Sequence, residues 1–200
     1  MNNAFRRAAL LCLACVTLLA GCAKSTPTTN FYSLHVPKAQ SVGTSAADGV
    51  SLSIGPVTLP DVLRQSRIAT GGEGGRYTLS EYHRWSGEVD RDLGRALAER
   101  LSRELGTESV SLFPWDTHLD PRFQIVVDVL GMGGDLGREA TMSVRWAIVD
   151  KEKRTETVIR RTDLREPLAS TDHAAWVAAQ QRNVESLGTA MAQEIKAVGK

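Results

Sequence analysis

From Ala140 to Ile148 the chain alternates: Ala140, Met142, Val144, Trp146 and Ile148 are apolar, with Thr141, Ser143 and Arg145 between them. A period of two belongs to a strand with one face buried, so this segment demands an apolar layer on one side. Asp150-Lys151-Glu152-Lys153 then reads as a charged turn, with Thr155 to Thr162 returning as a hairpin partner near a sheet edge. Upstream, Phe123 to Leu130 is apolar on both faces except Gln124 and Asp128, the pattern of a central strand. Gly131 to Asp135 reads as the turn that follows it.

Two helices supply the covering layer. From Glu88 to Leu105, the residues Val89, Leu93, Leu97, Leu101 and Leu105 recur every four positions, with Ala96 beside them. That spacing makes one apolar stripe. Ser86 is the expected N-cap and Gly106 the expected C-cap glycine. A longer helix is predicted over about Ala174 to Val198, where Val177, Val184, Met191 and Val198 fall seven apart and Leu187 and Ile195 fill the same side. Thr171 or Asp172 is its expected N-cap.

Shorter strands are predicted at Phe31 to Leu34, at Val50 to Ile54, at Tyr77 to Leu79 and at Val110 to Leu112. Pro56 and Pro60 are expected to end the second of these. Gly71 to Gly75 reads as a turn or a mobile loop, and residues 37–49 as a loop. The expectation is a mixed α and β class (α/β): a single domain with a mixed sheet of about five strands covered by two long helices, without internal repeats.

The N-terminus reads as an address. Residues 1–7 end in Arg6-Arg7, and an apolar run from Ala8 to Ala20 follows, broken only by Thr17. Its 13 residues are fewer than the ~20 a spanning helix needs, so it reads as a secretory signal. Leu19-Ala20-Gly21-Cys22 then looks like a bacterial lipobox. Small residues suit a signal peptidase pocket, the Cys22 thiol can carry a diacylglyceryl thioether, and cleavage frees its amine for a further acyl chain. Two or three chains suffice for stable anchoring. Cys12 and Cys15 lie inside the apolar run as filler, so residues 23–200 hold no cysteine, which excludes a disulfide scaffold and a cysteine zinc site there. The predicted layout is a signal peptide over 1–21, a lipidated cysteine and flexible tether over 22–30, and a domain over 31–200.

Lys plus Arg is 24 against 23 Asp plus Glu, a net charge of +1, which falls to −1 when Arg6 and Arg7 leave with the signal. Such a chain is not built to neutralise many phosphates, so nucleic acid is not an expected partner. His35, His83, His118 and His173 have no second histidine at metal-ligand spacing, and no metal or cofactor is expected. His83 near Glu81, and His118 near Asp116 and Asp120, read as surface or capping residues. No Gly-x-Ser-x-Gly elbow and no Gly-Lys-Ser/Thr loop is present. Trp146 is expected in the core. The apolar residues Leu59, Pro60, Val62 and Leu63 fit neither helix nor sheet interior, and must pack on the domain's own core or on a partner.

Taken together, several segments resemble the PqiC/YmbA-type lipoproteins, auxiliary components of ABC-type transport systems that work with MCE proteins. They are the lipobox at 19–22, Phe31-Tyr32-Ser33-Leu34, Ile54-Gly55-Pro56-Val57-Thr58-Leu59-Pro60, His83-Arg84-Trp85 ahead of the helix, Pro114-Trp115, and Trp146 in its strand. The resemblance covers about 20 to 198. It departs at Val62, where the family often has an aromatic, and at Ile68-Ala69-Thr70-Gly71, where the family often has an arginine.

The resemblance implies a domain similar to the TolB N-terminal domain. It also implies a non-catalytic outer-membrane lipoprotein facing the periplasm that docks an MCE-domain tunnel at the outer membrane, with ring-like self-association. Ala23, where an aspartate favours inner-membrane retention in such lipoproteins, agrees with the outer membrane. Two other readings stay open: a lipid-anchored periplasmic hydrolase using His83 or His118, and a periplasmic lipid chaperone with an apolar cavity.

Overall fold

The computed structural model describes residues 27–35, 50–114 and 120–199. The signal, Cys22, most of the tether, residues 37–49, Trp115 and His118 lie outside the described residues. The alternating segment is a strand, β7 (Glu139–Asp150). Ala140, Met142, Val144, Trp146 and Ile148 all point into the core, with Trp146 only 2% exposed. Its indole N–H donates to the Thr162 hydroxyl at 3.0 Å, which satisfies the one polar atom of a buried ring.

On either side β7 pairs antiparallel with β6 (Phe123–Gly133) and β8 (Thr155–Pro167). Beyond β6, β2 (Leu52–Thr58) runs parallel, and β5 (Val110–Leu112) runs parallel to β2. The order β5-β2-β6-β7-β8 puts β6 at the centre, as its two-sided apolar run predicts. β8 is an edge, with Arg161, Asp163 and Arg165 exposed along it and Arg161 paired to Asp163 at 3.2 Å.

Helices α1 (Val89–Leu105) and α2 (His173–Val198) pack on each other and on one face of this sheet, α1 over β2 and β5 and α2 over β7 and β8. The α1 stripe is fully internal: Val89, Leu93, Leu97, Leu101 and Leu105 are all buried. Gly106 ends it at φ 64°, a left-handed conformation that glycine adopts freely. The N-cap falls on Glu88, without a side-chain cap bond, and not on Ser86. Asp90 and Asp92 in the first turn place negative charge at the positive end of the helix instead. At α2 the Asp172 carboxylate accepts the Ala175 N–H at 2.8 Å, the expected cap. Among the described residues no helix is long and apolar enough to cross a membrane.

A second, three-stranded sheet joins β1 (Asn30–Tyr32), β4 (Tyr77–Trp85) and β3 (Arg67–Gly71) in the order β1-β4-β3. It meets the large sheet where Gly71 and Gly134 exchange two backbone hydrogen bonds at 2.8 and 2.7 Å. Gly133 is required there, because a Cβ on it would lie 2.1 Å from the Gly71 carbonyl oxygen. Gly131 to Gly133 therefore belong to β6, which reaches them past an irregularity in register between Val129 and Gly131, and the turn comes later. Pro56 likewise does not end β2. The Gly55–Pro56 bond is cis, the register shifts between Ile54 and Val57, and pairing resumes to Thr58.

Three polar side chains of α2 seal the end of the β6–β7 hairpin. Trp176 Nε1 and Gln180 Nε2 donate to the Gly133 carbonyl at 3.1 and 2.9 Å, and Gln180 Nε2 also reaches the Thr141 carbonyl at 3.1 Å. Asn183 Nδ2 donates to the Ala140 carbonyl at 3.2 Å. Gln180 and Asn183 are fully buried, so these bonds fix where the helix docks.

Candidate functional site at the N-terminal junction and the Leu59–Leu63 turn

The chain enters the domain through β1, which lies parallel to β4 with Phe31 opposite Arg84 and Tyr32 opposite Trp85. Directly after it, Asp92 on α1 gathers the backbone. Its carboxylate accepts the Ser33 hydroxyl at 2.9 Å and the Leu34 N–H at 2.5 Å. Gln181 of α2 donates to the Ser33 carbonyl at 2.9 Å, and His35 Nε2 meets Glu99 Oε2 at 2.7 Å. Leu34 is buried between them. A shallow groove of about 270 Å³ lies here, lined by Leu34, His35, Glu99, Arg103 and Gln181.

Below β1, three rings meet. Tyr32 Oη lies 2.8 Å from His83 Nδ1, and His83 stacks on His173, the first residue of α2. Burial, and secondarily the His83 ring, hold the His173 imidazole below its ordinary range. Burial, and secondarily the Asp172 carboxylate, push the Tyr32 phenol up. Asp172 itself is held low, first by the Ala175 N–H and then by the Ser170 hydroxyl. Trp85 and Trp176 sit alongside at 6.2 Å between ring centroids.

For His83 this is a packed structural setting. Its ring nitrogen faces a phenol, and the nearby Ser80 hydroxyl accepts the His83 backbone N–H at 3.2 Å. Among the described residues no group of three or more His, Cys, Asp or Glu is placed to hold a metal ion.

The segment singled out for a partner forms a short 3-10 turn over Asp61–Leu63, closed by the Leu63 N–H donating to the Pro60 carbonyl at 2.9 Å. Leu63 is 2% exposed and belongs to the core. Leu59 and Val62 pack partly against that core, and Pro60 is half-buried. The exposed residues of the turn are Asp61 and Arg64. The structure thus separates the four residues: Leu63 points inward, while Leu59, Pro60 and Val62 leave part of their surface open.

The residues that sequence reasoning missed are those that knit the junction: Asp92, Gln181 and the His83–His173 pair. Asp92 and Gln181 lie 148 residues or fewer from Ser33 along the chain, and their polar character alone carries no sign of that pairing.

Two sheets, one of five strands under a helix pair and one of three strands that begins with β1, define a mixed α and β domain. The chain belongs to the family described as the ABC-type transport auxiliary lipoprotein component, whose model matches residues 32–192. No curated protein sequence matches the chain. Among solved structures, an uncharacterized protein is similar at a TM-score of 0.68 and 17% identity, over 84% of this chain and 99% of that one. Protein XCC0632 from Xanthomonas campestris is similar at a TM-score of 0.63 and 15% identity, over 75% of this chain and 85% of the other. At these identities the two likenesses show the fold.

Proposed function

We propose that this chain is a non-catalytic, outer-membrane lipoprotein subunit of an MCE/ABC-type intermembrane lipid transport system. In this reading it docks the periplasmic MCE tunnel at the outer membrane and so supports membrane integrity. The observation that carries the reading is the placement of Leu19-Ala20-Gly21-Cys22 ten residues ahead of the stretch, 32–192, that matches the transport auxiliary family. Acyl chains on Cys22 confine the domain to a surface, which raises its effective concentration for a partner spanning the periplasm. Leu59, Pro60 and Val62, propped by Leu63 from beneath, are the proposed contact with that partner, and copies of the domain ring the tunnel end.

The test is an affinity pull-down of the full-length lipoprotein from crosslinked envelopes, with Cys22→Ser as the control. Recovery of an MCE-domain protein and its ABC transporter, lost in the control, is the expected result. An acylated protein in the outer membrane that brings no such partner overturns the reading.

A further inference from the structure

The outer face of the small sheet carries an unusual row. Phe31 of β1, Arg84 of β4 and Arg67 of β3 are direct cross-strand neighbours, so their side chains share one face. It is the face turned away from α2, because the flanking His83 and Trp85 are the residues that meet His173 and Trp176. Phe31 is 63% exposed, and Tyr82, two residues before Arg84, is 37% exposed. Arg67 bonds only to Gln65 at 3.3 Å, and neither Arg67 nor Arg84 has a carboxylate at ion-pair distance among the described residues. Most other arginines of the described residues are paired: Arg100 with Glu104, Arg145 with Asp128, Arg160 with Glu194, Arg182 with Glu166.

We infer that this face, Phe31 with Arg67 and Arg84, and the exposed Tyr82 close by in β4, lies against the surface of the bilayer that holds the anchor, with the aromatic rings at the headgroup level and the guanidiniums on lipid phosphates. The inference rests on acylation of Cys22. Eight residues lie between Cys22 and Phe31, a reach of about 30 Å at full extension. A domain of this size is about 40 Å across, so the side that receives the chain is the side held at the bilayer. Aromatic and arginine side chains are suited to that depth, each with an apolar body and a polar tip. Arginine also grips phosphate with two parallel donors.

The test uses the acylated full-length protein in vesicles of phosphatidylethanolamine with phosphatidylglycerol. The mature chain then has no free thiol, since Cys12 and Cys15 leave with the signal and the Cys22 sulfur is a thioether. Ser66→Cys places one beside Arg67 while leaving Phe31, Arg67, Arg84 and Tyr82 intact, and Ile159→Cys places one on the large sheet. Ile159 pairs with Ala147, six residues along β7 from the Thr141 end that meets the small sheet's junction, about 20 Å away.

Reaction with a water-soluble maleimide should slow severalfold at position 66 on reconstitution and stay unchanged at 159. The protection should be lost when Arg67→Glu and Arg84→Glu are added, with the thermal transition of the domain unchanged. Equal reactivity at the two sites in acylated protein overturns the inference alone. Protection at 66 that is already present without lipid assigns the face to a protein contact and also overturns it. A mature chain whose mass carries no acyl groups overturns both this inference and the anchor on which it rests.

Discussion

The imidazole rings of His83 and His173 are stacked in parallel, their centroids 4.0 Å apart and their planes within 8°. Two imidazolium ions could not lie this way without strong repulsion. The His173 group accordingly has its folded-state pKa held below 6.5, by burial first and by His83 second. The unfolded chain therefore binds a proton that the folded domain resists, and stability falls as pH drops through the unfolded value near 6.5 and on toward the lower folded one. Urea denaturation at pH 7.5 and pH 5.5 should show the domain weaker at the lower pH. His173→Gln should flatten that difference, and a variant that keeps the full pH dependence would place its source elsewhere.

Asp92 holds the segment that follows β1 through the Ser33 hydroxyl and the Leu34 N–H. Asp92→Ala removes a charged acceptor from two donors and should cost about 2 kcal/mol, discounted from a fully buried case because the site is partly open to solvent. Hydrogen exchange should show the loss concentrated at residues 30–35, with β6 and β7 still protected.

Gly133→Ala would bring a methyl group to 2.1 Å from the Gly71 carbonyl oxygen, a backbone atom that cannot turn aside. The Gly71–Gly134 pair must then part. A loss of about 2–4 kcal/mol is expected from such a clash. The small sheet should exchange its amide protons faster than the large one in this variant.

Gln180→Leu keeps the size of the side chain but removes the α2 donor to the Thr141 carbonyl and one of the two α2 donors to the Gly133 carbonyl. An unsatisfied buried acceptor costs about 1–3 kcal/mol, so the midpoint of denaturation should fall although an apolar residue has replaced a polar one. A midpoint equal to the parent would mean that Trp176 Nε1 alone suffices at Gly133.

The large sheet and both helices were legible because each has a clean period. The alternation through Trp146 and the four-residue spacing from Val89 to Leu105 survive intact in the folded chain. The small sheet was legible only in part: β1 and the first residues of β4 were expected as strands, while β3 and the rest of β4 were not. In β4 the register against β3 slips between the Arg67–Arg84 and Ala69–Leu79 pairs, which spoils the alternation that would have marked a strand of nine residues. The role of Gly133 was hidden for a similar reason. A glycine cluster after a strand reads as a turn, and only the approach of a second backbone explains it as part of the strand. In the turn, Leu63 was singled out as apolar and is core, while nothing in the charge of Asp92 marks it among the other ionised residues of α1 as the one that holds the junction.

The edge at β8 has a consequence for how copies live together. Proteins confined to a surface collide side by side far more often than in free solution, and a long strand with open backbone groups is where two sheets would merge. Arg161, Asp163 and Arg165 line that edge with alternating charge, and a merging strand would have to strip water from each in turn. That charge works against a continuous sheet forming through β8 between neighbouring copies.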